Sequence, residues 1–259
     1  MATGSSTNFS GIRAGIDFSD PDRVPPNASF WIFCVTSCVK TIGSTIIFTT
    51  LNQYCEYLGM EGRFGPGFLV GAVPILAGLS AFGWQYVMGW IGYKYTTVAM
   101  SMTGMVGSIL YALAGTANSS AMALCGRIAM GIAASSNVMY HFIAVTTGKN
   151  KKSGKMSIII VCNNIGLGIG PLLSGGIDAL FGDVFGLKAS SPVIFNVLSI
   201  PGWAMGLIYL ILTLLILFLF ENVSKEEQLR YAQYQVLCLP DIQKKSTRLT
   251  PTKVLVLSL

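Results

Sequence analysis

The sequence predicts an all-α membrane protein with six transmembrane helices, and composition, hydrophobic run length and charge placement predict it together. Hydrophobic residues make up 52% of the 259 residues and charged residues only 11%. A soluble domain carries roughly 25% charged residues, so a water-facing surface cannot be built from this inventory. Runs of about 20 mainly apolar residues, enough to cross a hydrocarbon core of roughly 30 Å, recur along the chain.

The expected spans are Phe30 to Leu51, Pro66 to Ile91, Thr96 to Ala117, Ala121 to Val145, Met156 to Leu180 and Val193 to Phe220. They divide the chain into a polar tail at 1–29, a six-helix bundle at 30–220 and a polar segment at 221–259. The first 29 residues lack the apolar core of a cleavable leader, so the first span is expected to act as an uncleaved signal anchor. After the last span, Ser224 and Glu227 form a capping box that starts a short helix. The final Val254-Leu255-Val256-Leu257 is expected to open a seventh span.

Charge sets the expected orientation. Of the 17 Lys and Arg residues, Lys40 and Arg127 lie within spans and Arg63 and Lys188 fall on one side of the bundle. All the others fall on the side of the two termini, which the positive-inside rule assigns to the cytosol. The cluster Lys149, Lys151, Lys152 and Lys155 is expected to lie against anionic headgroups. The net charge of +6 therefore reads as topology, and the expected partner is the lipid bilayer and not nucleic acid. None of the six cysteines forms a C-x-x-C pair, so no disulfide framework, metal site or cofactor is expected.

Ionisable groups inside spans carry the functional reading, because each costs a few kcal/mol in hydrocarbon unless it faces a cavity or a partner. Lys40 shares a helix face with Thr36 and Ser44, a stripe expected to line a solute or ion pathway. Arg127 needs a substrate anion, backbone carbonyls or an acid as its partner. His141, the only histidine, falls near the end of the same span and is a candidate for proton coupling. Asn163 and Asn164 must be hydrogen-bonded across helices or to a solute. Gly71-x-x-Pro74 and Gly168-x-x-Pro171 recur in the second and fifth spans, as in bundles built from two three-helix repeats.

At these positions the chain resembles the major facilitator superfamily. Gly126-Arg127-Ile128-Ala129-Met130-Gly131 resembles its R-x-x-x-G signature. Gly166-x-x-x-Gly170-Pro171 followed by Gly175-Gly176 resembles its G-x-x-x-G-P-x-x-G-G signature, with one additional residue before the last pair. The link between spans two and three departs from the family's charged loop, placing Gly89 and Trp90 where it has Asp and Arg. This looser form is most similar to the lysosomal branch associated with ceroid lipofuscinosis and to its SPX-domain relatives.

The resemblance implies one half of a twelve-span bundle, with a second six-helix half as partner. It further implies secondary active transport of a small solute, an anion by the charges available, and no catalysis. An anion channel and a non-transporting half-bundle fragment are the alternatives. Tyr234-Gln235-Val236-Leu237 fits a tyrosine-based sorting pattern and points to an endolysosomal rather than a plasma membrane.

Overall fold

The computed structural model describes residues 22, 24–59, 65–181 and 198–221, the side chain of Phe181 excepted. Every regular element among them is helical: α1 (Asn27–Thr45), α2 (Leu51–Tyr57), α3 (Pro66–Thr116), α4 (Ser120–Ala133), α5 (Asn137–Thr146), α6 (Lys149–Phe181) and α7 (Ile200–Leu219). The capping box, the sorting pattern and the expected seventh span lie outside the described residues.

Among the described residues, four helical stretches are long and apolar enough to cross a membrane: Pro66–Thr116, Ser120–Thr146, Lys149–Leu180 and Ile200–Leu219. The six expected spans map onto the helices differently. The first expected span divides into α1 and α2 around a turn at 46–50, and the Ser, Thr and Lys content of α1 lowers its apolarity. The second and third fall within the single run α3, which is broken only at Gly92 (φ 81°, ψ 174°). The fourth divides into α4 and α5 around 134–136.

Packing shows that α3 doubles back at Gly92. A straight helix would hold Val73 and Gly107 roughly 50 Å apart at 1.5 Å per residue. Yet both touch the same stretch of α4: a Cβ on Gly107 would meet the Gly126 carbonyl at 2.8 Å, and one on Gly131 the Val73 carbonyl at 3.0 Å. The arms 66–91 and 93–116 are therefore neighbours, each about 35–40 Å long. Positive φ is nearly free for glycine and strained for other residues, so the reversal falls where no Cβ is present.

The signature glycines mark close helix crossings. A Cβ on Gly166 would collide with the Cys38 carbonyl and one on Gly170 with Thr45, so α6 lies directly on α1. Pro171 follows within α6, which continues through it. Contacts Ser37–Ile159 and Thr41–Asn163 advance together along α1 and α6, and Thr49–Ser174 continues the series into the turn at 46–50, so α1 and α6 run parallel. Small residues admit this approach where hydrocarbon supplies no hydrophobic drive for association.

Large apolar side chains cover the outside, among them Leu79, Phe82, Leu172, Leu207 and Phe218. Such a surface suits lipid. The described chain starts and finishes at one end of the bundle, where Ser29 Oγ accepts from the Glu221 N–H (3.0 Å) and donates to its carbonyl (2.9 Å). Lys155 stands over the Phe30 ring at the same end, 4.2 Å from its centre.

Candidate functional site

Two interrupted spans face each other in the interior. The carbonyls that a broken helix leaves without partners are costly in a membrane and must be satisfied by other groups. At the break after α4, the Ile132 carbonyl accepts from Trp84 Nε1 (2.7 Å) and Ser80 Oγ (3.1 Å). The Ser135 carbonyl accepts from Lys40 Nζ (2.9 Å). At the end of α1, Arg127 donates through Nη2 to the Ser44 carbonyl (3.1 Å) and through Nη1 to that of Gly43 (3.5 Å). Its Nε donates to the Leu69 carbonyl on the first arm of α3 (3.3 Å).

Between these breaks lies a cleft of about 280 Å³. It is bounded by α1, the 66–91 arm, the 134–136 break and α6. Its polar lining is Lys40, Thr41, Ser44, Thr45, Ser136 and Asn163, with Phe48, Val70, Val73, Pro74, Ala77, Ala134 and Leu167 as the apolar wall. Among the described residues, Lys40 is the only charged one in the lining. It is 4% exposed, with its stem buried and its ammonium at the break. A small cleft of hydroxyls, one amide and one cation can orient a compact anion through donors.

The expected pathway residues separate. Lys40 and Asn163 come together in the cleft, where the Asn163 side chain also pairs with the Thr41 hydroxyl across α1 and α6. Arg127 does not reach it. The guanidinium is 0% exposed and its donors are taken up by carbonyls of two neighbouring helices. His141 lies away from the cleft, its Nδ1 bonded to Tyr93 Oη at 2.7 Å beside the Gly92 reversal. Asn164 is exposed on the outer face of α6.

Thr36 also leaves the expected stripe, since it is buried with its hydroxyl turned back to the Ile32 carbonyl (2.7 Å). Sequence reasoning missed Thr41, Thr45 and Ser136 as lining groups. Thr41 and Thr45 lie one turn apart on α1, each directly following a residue of the Lys40 and Ser44 face, so a polar stripe wider than one face was there to be read. Ser136 lines the cleft only because the fourth span breaks there.

No family model matches the chain, and no solved structure matches it. The chain is 25% identical over 229 residues to a protein of Schizosaccharomyces pombe described as an uncharacterized MFS-type transporter, covering 82% of this chain and 43% of that one. It is 24% identical over 196 residues to an SPX domain-containing membrane protein of Arabidopsis thaliana, covering 75% of this chain and 26% of the relative. A similar protein of Oryza sativa subsp. japonica is 22% identical over 179 residues, or 68% and 24% of the two chains.

This chain thus spans less than half the length of these curated relatives. The apolar helices and the membrane-protein relatives together support an integral membrane protein. The relatives' names point to transporters and membrane proteins rather than enzymes.

Proposed function

We propose that this chain forms the six-helix half of a major-facilitator-type transporter and moves a small anionic solute by secondary active transport. In this reading α1–α2, the two arms of α3, α4–α5, α6 and α7 make six crossings. Residues 1–29 and 221–259 form cytosolic segments on either side of the 30–220 bundle. Ser29 meeting Glu221 supports an even number of crossings, and Lys155 beside Phe30 supports placing the lysine cluster and the termini on one side. The sorting pattern at 234–237 supports an endolysosomal membrane. A second six-helix half would close the open side of the cleft, and alternating access would come from the two halves rocking about it.

The observation that carries the proposal is the polar cleft between two interrupted helical segments, with Lys40 the only charged wall group among the described residues. The test is flux of small radiolabelled anions into liposomes holding the full-length protein. A charged hydrogen bond is worth roughly 1.5–3 kcal/mol. Lys40→Met is therefore expected to cut flux about tenfold or more while the protein stays folded. Lys40→Arg is expected to keep more of it, since a point charge at this position demands little geometry. Unchanged anion flux in a folded Lys40→Met protein would overturn the assignment.

A lysine in the cleft wall, with no acidic group among the described lining residues, also favours the second reading, an anion channel. Saturable, ion-coupled uptake supports the transporter. Ohmic currents of fixed selectivity support the channel.

A further inference from the structure

We infer that Lys40 and Arg127 form a reciprocal cross-brace, so that the breaks at 46–50 and 134–136 open together and not separately. Each cation is rooted in one interrupted span and anchored on backbone carbonyls at the break of the other. Lys40 sits on α1 and holds the Ser135 carbonyl just past the end of α4. Arg127 sits on α4 and holds the Gly43 and Ser44 carbonyls in the last turn of α1. Both anchor points are the negative ends of helix dipoles, which favour a cation.

Ser44 ties the two arms of the brace into one unit. Its carbonyl accepts from Arg127, while its hydroxyl donates to the Lys40 carbonyl at 3.0 Å. The hydroxyl bond is to the main chain and braces the turn of α1 between the root of Lys40 and the anchor of Arg127. The root of Arg127 on α4 and the anchor at Ser135 lie about two turns apart, so a shift of either helix moves both contacts. The Ser135 hydroxyl adds a second sign of a two-state element. It is buried and has no hydrogen-bond partner in the arrangement described here, although its own carbonyl holds Lys40. A buried orphan hydroxyl is a reserve of free energy that a rearranged break would recover. In this scheme Arg127 is a positioning residue, acting on the cleft only through Ser44 and α1.

The cross-brace is a property of the bundle, and its test reads no solute movement, so it stands or falls independently of the transport proposal. The experiment is amide hydrogen exchange on the full-length protein in lipid nanodiscs, following peptides that cover 46–50, 134–137 and, as reference, 200–219. Lys40→Met is expected to speed exchange about tenfold at 134–137 and comparably at 46–50, which Lys40 does not touch through its ammonium. Arg127→Lys is expected to loosen the same two segments in reverse order of size. Ser44→Ala, with both cations intact, is expected to weaken the link and loosen both modestly. The double variant Lys40→Met/Arg127→Lys is expected to add little beyond the stronger single, because the two act as one unit.

If Lys40→Met does not fold, Lys40→Arg in the Ser44→Ala background decides by the same readout. Exchange that rises only at the break each cation touches overturns the proposal. So does a rise that spreads equally into 200–219, which would make both residues general stabilisers.

Discussion

A buried cation is only as stable as the acceptors around it, and Arg127 shows how far that reasoning goes. Its fork bonds the carbonyls of Leu69, Gly43 and Ser44, and since Leu69 keeps its acceptance within α3, removing the arginine strands the two at the end of α1. At about 1 kcal/mol or more for each stranded group, Arg127→Met is expected to lower stability by roughly 2 kcal/mol, read as a lower melting temperature in detergent. Arg127→Lys is expected to recover only part, because a single ammonium cannot span three carbonyls on two helices. A Met variant that melts with the parent would remove this account. The sequence made the need for a partner legible but not the partner itself. Backbone carbonyls carry no residue identity, so a carbonyl cage leaves no motif. Lys40 could be placed beside Ser44 for the opposite reason: both are side chains on one helix, a turn apart.

Helix pairs test the same physics over longer stretches. Gly170→Leu is expected to disrupt the α1–α6 crossing, whereas Gly168→Leu, two residues away with nothing within 4 Å of its Cβ position, is expected to be tolerated. Equal expression and equal melting of the two variants would sink the close-packing claim. Gly107→Leu is expected to be as damaging as Gly170→Leu, since its Cβ would lie 2.8 Å from the backbone of Gly126 and Met130. Gly126, Gly131, Gly166 and Gly170 each lie against a neighbouring helix, because a missing Cβ is itself the means of approach. Breaks were harder to read. The interruptions at 46–50 and 134–136 contain neither Gly nor Pro, and apolar run length passes straight across them. They exist because carbonyl partners on other helices hold them open.

At the scale of the whole molecule, topology is the property most open to test. Asn8, Asn27 and Asn222 occupy N-x-S sequons, and all three are expected to stay unglycosylated with the termini in the cytosol. A glycan on Asn8 or Asn27 in intact cells would overturn the orientation. How many crossings the chain makes was only partly legible, since hydropathy registers length and apolarity but not the direction in which a helix returns. Gly92 decides that direction, with one backbone torsion that side-chain residues rarely adopt. An insertion machine receiving residues 66–116 must choose between one overlong segment and a pair, and the choice is binary. Under the proposed six-crossing topology, losing the reversal at Gly92 removes one crossing and moves every later loop to the other side. The lysines at 149–155 would then be driven across the bilayer against their charge. A single substitution here therefore acts as an error in counting, felt first during synthesis and only afterwards in the folded protein.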